Sequence, residues 1–293
     1  ILFQDILHFY ALNQNRSSQT LPAATPYEDF VDWQLANVVN GTYEKYVAFW
    51  HDTLLNYNPP VLPTDKPIPQ QALAIGAKEP IHFSVELLNK LQDLTKQSQV
   101  TLPNLLFTAY GLLLAQFAQT DQAFITMLCA GRETEKYQTI MGNVANELPL
   151  IIHYSPVMSF IDIARQLQNC LVQFSEYQYL QPEQITEIGL PVPDVSFDFQ
   201  HLEIKPVDPG FTLKPFAFDD ANIPLWGSNP RKLSLKFTYN RTLLTGYLKY
   251  RVDLYDCETI AHLTRQFQTI IKEVVDKPER TCSILTDLCG ARL

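Results

Sequence analysis

The sequence predicts an α/β fold, a mixed sheet with flanking helices. Three observations carry that prediction. Beyond residue 80, apolar runs of strand length alternate with helical periodicities. Val195, Phe197 and Phe199, and the segments 233–239 and 246–252, alternate apolar and polar residues with period two. Finally, Ile260, Leu263, Phe267, Ile270, Ile271 and Val274 form a stripe at three-to-four spacing, the mark of a helix with one buried face.

Taken in order, residues 1–13 and a pattern beginning at Tyr27 read as helices, separated by a polar stretch and by Pro22 and Pro26. Residues 43–55 continue as a helix with Tyr46, Val47, Trp50 and Leu54 on one face. Pro59, Pro60, Pro63, Pro67 and Pro69 then exclude regular structure, so residues 59–79 read as a semi-rigid connector and a lobe boundary. A strand is expected over 81–85 and a helix over 86–97. Thr101 is expected to cap a further helix that has Pro103 in its first turn and runs to about Gln119. Strands follow over 124–130 and 145–153. A helix over 159–177 carries the stripe Phe160, Ile163, Leu167, Leu171 and Phe174. A strand over 194–200 leads into a long loop from Pro206 to Arg231. Loops of that length in a compact domain tend to be functional, and this one is expected to reach across a lobe interface. Residues 233–239 and 246–252 read as a hairpin pair, and the last long helix covers 257–275.

Composition narrows the function. The chain has 293 residues, 46% apolar and 18% charged, with a formal net charge of −9. That balance argues against nucleic-acid binding, which needs clustered Lys and Arg. No apolar run approaches the roughly 20 residues of a membrane span. The chain starts at Ile1 inside an amphipathic pattern, from which the expectation is that residues upstream are missing. Five cysteines without a CxxC pair read as thiols in a reducing cytoplasm, and no spacing suits a metal. Six histidines are scattered singly. His153 and His201 end strand candidates, but neither has a carboxylate beside it in sequence. Asp198, opposite in parity to Phe197 and Phe199, is expected to face solvent. Residue types alone leave an α/β domain of unassigned task.

Several ordered segments resemble the condensation domains of nonribosomal peptide synthetases. Tyr27-Glu-Asp-Phe-Val-Asp-Trp33-Gln34 resembles the family's YxDYAxWQ motif, followed by Trp50 and Leu54 and by Leu62-Pro-Thr-Asp65-Lys-Pro67 for LPTDxP. Thr101 to Tyr110 with the following leucines resembles the helix TxxxxLxAAY…LL. Gly131-Arg132, then Met141-Gly142-Asn-Val-Ala-Asn146-Glu-Leu148-Pro149-Leu150, resembles GR…IGxFVNTLPLR. Leu233-Ser-Leu and Tyr250 to Tyr255 resemble the closing DLSL…EYxxxLFD, and the last helix ends in Asp276-Lys-Pro278 as the family's usually does. The sequence also departs from the pattern. Val144-Ala145 replaces Phe-Val, Ile151 replaces an arginine, and HQDYPFE is matched only loosely by Tyr177-Gln178 to Glu183.

The resemblance implies a two-lobed, chloramphenicol-acetyltransferase-like fold. Residues 1–58 would end a truncated N-lobe, 59–79 would connect, and 80–293 would form the C-lobe. With half of the two-lobed body missing, one apolar surface is expected to be poorly buried. The resemblance also implies amide formation between thioesters on donor and acceptor peptidyl carrier proteins, beside adenylation domains in the cytoplasm. No cofactor would be bound directly, the substrates riding on the phosphopantetheine of the carriers, and neither a metal, a nucleic acid nor a membrane is expected. The family's catalytic histidine belongs to an HHxxxDG motif that lies before the helix resembled by residues 1–10. That motif does not occur in these 293 residues, so no catalytic residue carries over and the chain alone is expected to be inactive. Arg132, Gly142, Asn146 and Gln178 are the residues expected along the substrate tunnel. Three of them also have a structural reading: a fold-holding pair for Arg132, a backbone turn for Gly142, and satisfaction of buried backbone groups for Asn146. The alternatives are a non-catalytic condensation-like module that docks carrier proteins, or a related HxxxD-type acyltransferase.

Overall fold

The computed structural model describes residues 2–14, 23–71, 75–132, 135–201, 223–224 and 231–288. Three helices come first: α1 (Leu2–Asn13), α2 (Tyr27–Val39) and α3 (Thr42–Leu54). Pro26 fixes the entry to α2, and Gly41 at φ 79° turns the chain into α3. An extended proline-rich segment leads to β1 (Ile75–His82), α4 (Val85–Ser98), α5 (Leu102–Phe117), β2 (Gln122–Cys129) and β3 (Asn146–His153). Then come α6 (Phe160–Phe174), α7 (Pro182–Glu187), β4 (Val195–His201), β5 (Ile223–Pro224), β6 (Leu233–Tyr239), β7 (Leu244–Arg251), α8 (Cys257–Asp276) and α9 (Cys282–Leu288).

Among the described residues the strands form one mixed sheet in the order β3-β2-β4-β6-β7-β1-β5. The pairs β2–β4 and β4–β6 are parallel and the others antiparallel. The expected hairpin is β6–β7, with Leu235 opposite Leu248. Strand parity divides the sheet into two faces. One face carries Ile125, Leu150, Phe197, Leu235, Phe237 and Leu248, all buried. On it Phe197 meets Phe107 of α5 and Phe237 meets Phe267 of α8, with ring centroids 5.1 and 5.8 Å apart. The α8 stripe Ile260, Leu263, Phe267, Ile270, Ile271 and Val274 is buried throughout, as its spacing predicts. α5 is buried nearly all round, which suits the central helix of a layer.

Several elements differ from the sequence reading. β1 starts at Ile75, not 81, because Lys78, Glu79 and Pro80 hide its alternation. Among the described residues, only Ile75 and Gly76 of β1 are paired on the side away from β7, so the described pairing there needs no N–H at Pro80. Thr101 takes the N-cap position of α5 but makes no side-chain cap bond. Instead its N–H and Asn104 Nδ2 both donate to Gln168 Oε1 of α6, at 2.9 and 3.0 Å. α7 has no counterpart in the sequence reading. Most of the loop from Pro206 to Arg231 lies outside the described residues.

The LPTD segment acts at a distance in sequence. Asp65 Oδ2 accepts the Asp256 N–H at 2.8 Å and Oδ1 accepts the Thr259 hydroxyl at 3.0 Å, so Asp65 caps α8 from outside. Lys66 pairs with Asp256 at 2.8 Å and donates to the Val252 carbonyl. α3 is fastened by Trp50, which is fully buried and donates Nε1–H to the Tyr177 carbonyl at 2.9 Å. Leu2, Ile6, Phe9 and Tyr10 of α1 and Leu35, Val38 and Val39 of α2 are exposed.

Candidate functional site

The second face of the sheet is polar. Read across the strands, Thr126 lies opposite Ser196, Ser196 opposite Ser234, Ser234 opposite Lys249, and Lys249 opposite Lys78. The neighbouring row runs Asp198, Lys236, Tyr247 and Pro80. Thr126, Leu128, Glu147, Ser196, Asp198, Ser234, Lys236, Tyr247 and Lys249 line one groove.

Its groups are arranged chemically. The Ser196 hydroxyl donates to Ser234 Oγ at 2.8 Å. Asp198 pairs with Lys236 at 2.9 Å and accepts from Gln200 Nε2. With its side chain only 21% exposed, Asp198 is not the solvent-facing residue that alternation suggests. The parity holds, but it points into a groove. Lys78 stacks over the Tyr247 ring at 5.2 Å. Burial, then the neighbouring charge of Lys236, push the Lys249 ammonium below its ordinary range. Thr126 is 1% exposed and its hydroxyl has no hydrogen-bond partner among the described residues. Glu147, at the β3 end of the face, pairs with Arg231.

Of the four residues expected along a tunnel none lines this groove, and Asn146 is the chain neighbour of its Glu147. Arg132 Nη1 donates to the carbonyls of Tyr137 and Ile140, both at 2.8 Å, and Nη2 donates to Gly142 O at 2.9 Å. One guanidinium thus ties down the loop that leads into β3, with carbonyls as its partners. Gly131, at φ 67°, lets this loop close, since a Cβ there would sit 1.9 Å from the Val144 carbonyl oxygen. Gly142 lies under Tyr27, where a Cβ would come within 2.3 Å of the ring, and the Tyr27 hydroxyl donates to Asn143 O at 2.9 Å. Phe30, Tyr137, Ile140 and Val144 form a small separate core there, with Trp33 packed on it. Asn146 Nδ2 donates to the carbonyls of Gln178 and Leu180, and Oδ1 accepts the Glu147 N–H at 2.8 Å. Gln178 is buried and meets Asn146 through its backbone. These four residues hold the β3 entrance in place, while the groove itself is lined by others.

Sequence reasoning does not single out Thr126, Ser196, Ser234, Lys236 or Lys249. Their signal is the polar parity of strands whose other parity is apolar, and it gains meaning only once strand order is known. His153 and His201 do end β3 and β4. Both are exposed, and His201 rests against Tyr239, ring centroids 5.3 Å apart. Among the described residues no cluster of three His, Cys, Asp or Glu side chains is placed to hold a metal. No single described helix is long and apolar enough to cross a membrane.

Comparison with known proteins now bears on this geometry. A family model described as a condensation domain matches residues 1–288. Tyrocidine synthase 3 of Brevibacillus parabrevis is 25% identical over 284 residues, covering 93% of this chain and 4% of that protein. The chain thus spans a small part of the curated relatives it matches. Among solved structures, the first condensation domain of the calcium-dependent antibiotic synthetase, in complex with a substrate analogue, superposes with TM-score 0.77 at 16% identity. The alignment covers 96% of this chain and 62% of that one. The X-domain in its complex with OxyB from teicoplanin biosynthesis superposes with TM-score 0.73 at 18% identity, over 97% of this chain and 65% of that one. The mixed sheet with flanking helices is therefore the fold of those domains, and with the family model matching from Ile1 to residue 288, the chain belongs to the condensation-domain family.

Proposed function

We propose that this chain is the C-terminal part of an amide-forming condensation domain in a nonribosomal peptide synthetase, with the polar sheet face as one wall of its substrate channel. The observation that carries this reading is the groove itself: a row of hydroxyls and ammonium groups on the sheet face opposite α5 and α8. Family membership supplies the reaction. The acceptor amine attacks the donor thioester carbonyl, a C–N bond forms, the C–S bond breaks, and the amine's proton leaves as the donor carrier's thiol is released. Hydroxyl and ammonium donors suit a channel that must orient carbonyls and pantetheine amides.

The base would be an imidazole of an HHxxxDG segment, the motif that the family resemblance implies. Donor and acceptor peptidyl carriers bring the substrates on phosphopantetheine, and adenylation domains in the cytoplasm load them. Arg132, Gly142, Asn146 and Gln178 serve as positioning residues, holding the segment that delivers Glu147 to the channel edge. The test is a condensation assay of the natural gene product with loaded donor and acceptor carriers. Peptide product from that polypeptide, and none from residues 1–293 alone, is expected. No product from the natural polypeptide, or product from this chain by itself, would overturn the reading.

A second reading, a docking module without catalysis, is favoured by the likeness to an X-domain crystallised with OxyB. Retained binding of carrier proteins by a gene product that lacks both histidines of the motif would select it.

A further inference from the structure

We infer that the Asp198–Lys236 pair decides which substrate the groove accepts, and that it grips an aminoacyl side chain of glutamine length ending in a primary carboxamide. This rests on the channel reading above and names the substrate class for it.

The sheet places the pair. Asp198 and Lys236 are register partners on the parallel strands β4 and β6, and both line the groove. Lys236 Nζ meets Asp198 Oδ2 at 2.9 Å, and Gln200 Nε2 donates to the same oxygen at 3.0 Å. Among the described residues Asp198 Oδ1 takes no hydrogen bond, and the ammonium of Lys236 has protons left after the one given to Asp198. The Lys236 and Asp198 side chains are 29% and 21% exposed. An ion pair at this depth loses to desolvation most of what the attraction returns, so the fold gains little from it.

What the pair offers a ligand follows from its open valences. The two charges cancel, so the pair as a whole draws neither an anion nor a cation. An acceptor, Asp198 Oδ1, is left beside a donor, Lys236 Nζ. A carboxylate has no proton to give Oδ1, and an ammonium has no lone pair to offer Nζ. A backbone amide is trans, so its N–H and C=O point to opposite sides and one edge cannot meet both groups. A primary carboxamide carries its oxygen and one N–H along the same edge and satisfies both at once.

The neighbouring row sets the length. Ser196 and Ser234 precede Asp198 and Lys236 by two residues, about 6.6 Å along the strands. The Ser196 hydroxyl donates to Ser234 Oγ, which leaves the Ser234 proton for the carbonyl of the carried acyl group. An extended glutamine side chain holds its amide roughly 6 Å from its own carbonyl carbon, which matches the step between the rows. Asparagine is one carbon shorter. The hydroxyls of serine and threonine also give and take a hydrogen bond, but they lie closer still to the carbonyl and do not reach the pair.

The test uses three non-hydrolysable probes, the glutaminyl, glutamyl and homoleucyl amides of aminopantetheine, which share a shape and differ in the head group. Binding to the natural gene product is measured by titration calorimetry. The glutaminyl probe is expected to bind about tenfold more tightly than either of the others. Asp198→Leu together with Lys236→Met leaves neither charge unpaired, and it is expected to bring the glutaminyl and homoleucyl probes within about twofold of each other. The exchange of Asp198→Lys with Lys236→Asp is expected to keep the preference, since a carboxamide can turn its two ends over, and it serves where the apolar double variant does not fold. Three results would overturn the inference and leave the channel reading standing. They are equal binding of the glutaminyl and homoleucyl probes by the wild type, tighter binding of the glutamyl probe, and a preference that survives the apolar double variant or is lost in a folded exchange variant. Binding of none of the probes would overturn both readings.

Discussion

Arg132 offers the sharpest separation between holding the fold and touching a substrate. Its guanidinium gives three hydrogen bonds to the carbonyls of Tyr137, Ile140 and Gly142, all at 2.8–2.9 Å. Arg132→Met keeps most of the apolar stem and removes every donor. A hydrogen bond to a charged group contributes about 1.5–3 kcal/mol, but the loop is half-exposed and water replaces part of the loss, so about 2–4 kcal/mol in total is expected. The small core of Phe30, Tyr137, Ile140 and Val144, on which α2 docks, would loosen with it. In a chain of this size the loss corresponds to a fall in melting temperature of roughly 4–8 °C. Arg132→Lys should fall too, by less, because an ammonium cannot span three carbonyls as the planar fork does. Thermal unfolding followed by circular dichroism gives the shift, and carrier-protein affinity is measured below the transition. A variant of unchanged stability that no longer binds carrier protein would refute the reasoning and make Arg132 a phosphate ligand.

Three further outcomes follow from the same geometry. Gly142→Ala should destabilise by about 1–3 kcal/mol through overlap with the Tyr27 ring, and Tyr27→Ala in the same chain should remove most of that increment; additive losses in the double-variant cycle would contradict the contact. Asn146→Asp should cost more than Asn146→Ala, because a carboxylate would face the Gln178 and Leu180 carbonyls instead of donating to them, and urea unfolding of both variants tests the order. Burial holds the Cys282 thiol and the Tyr57 phenol neutral, each pushed up to about 12 from ordinary values of 9.0 and 10.0. The unfolded chain then loses these protons first, so stability falls as pH climbs above about 9 and is unaffected by them below that. The decline should be shallower in Cys282→Ala, and an identical pH slope in the variant would rule out this linkage.

How far the sequence anticipates this molecule depends on whether a feature is local. The α6 and α8 stripes and the alternation of β4, β6 and β7 are written in neighbouring residues, and those elements lie where the periodicities put them. β1 is hidden because Lys78-Glu79-Pro80 reads as connector, although all three residues pair with β7. The side-chain capping expected of Thr101 gives way to a tertiary contact with Gln168, which no local pattern encodes. The candidate site divides in the same way. Arg132, Gly142 and Asn146 stand out as a motif, and the structure shows what they hold. The groove residues are scattered over several strands and become neighbours only through the order β2-β4-β6-β7. Asp65 belongs to both cases: its segment is conspicuous in sequence, while its task as a cap on α8 needs the fold.

The channel assignment of the polar sheet face is tested most directly by chemistry at Ser196, in the middle of the row. Ser196→Cys in the natural gene product should be alkylated by bromoacetyl-pantetheine far faster than the exposed Cys170, and excess pantetheine should suppress the reaction. Labelling of the introduced thiol no faster than that of Cys170, and indifferent to pantetheine, would show that the carrier arm does not enter this face.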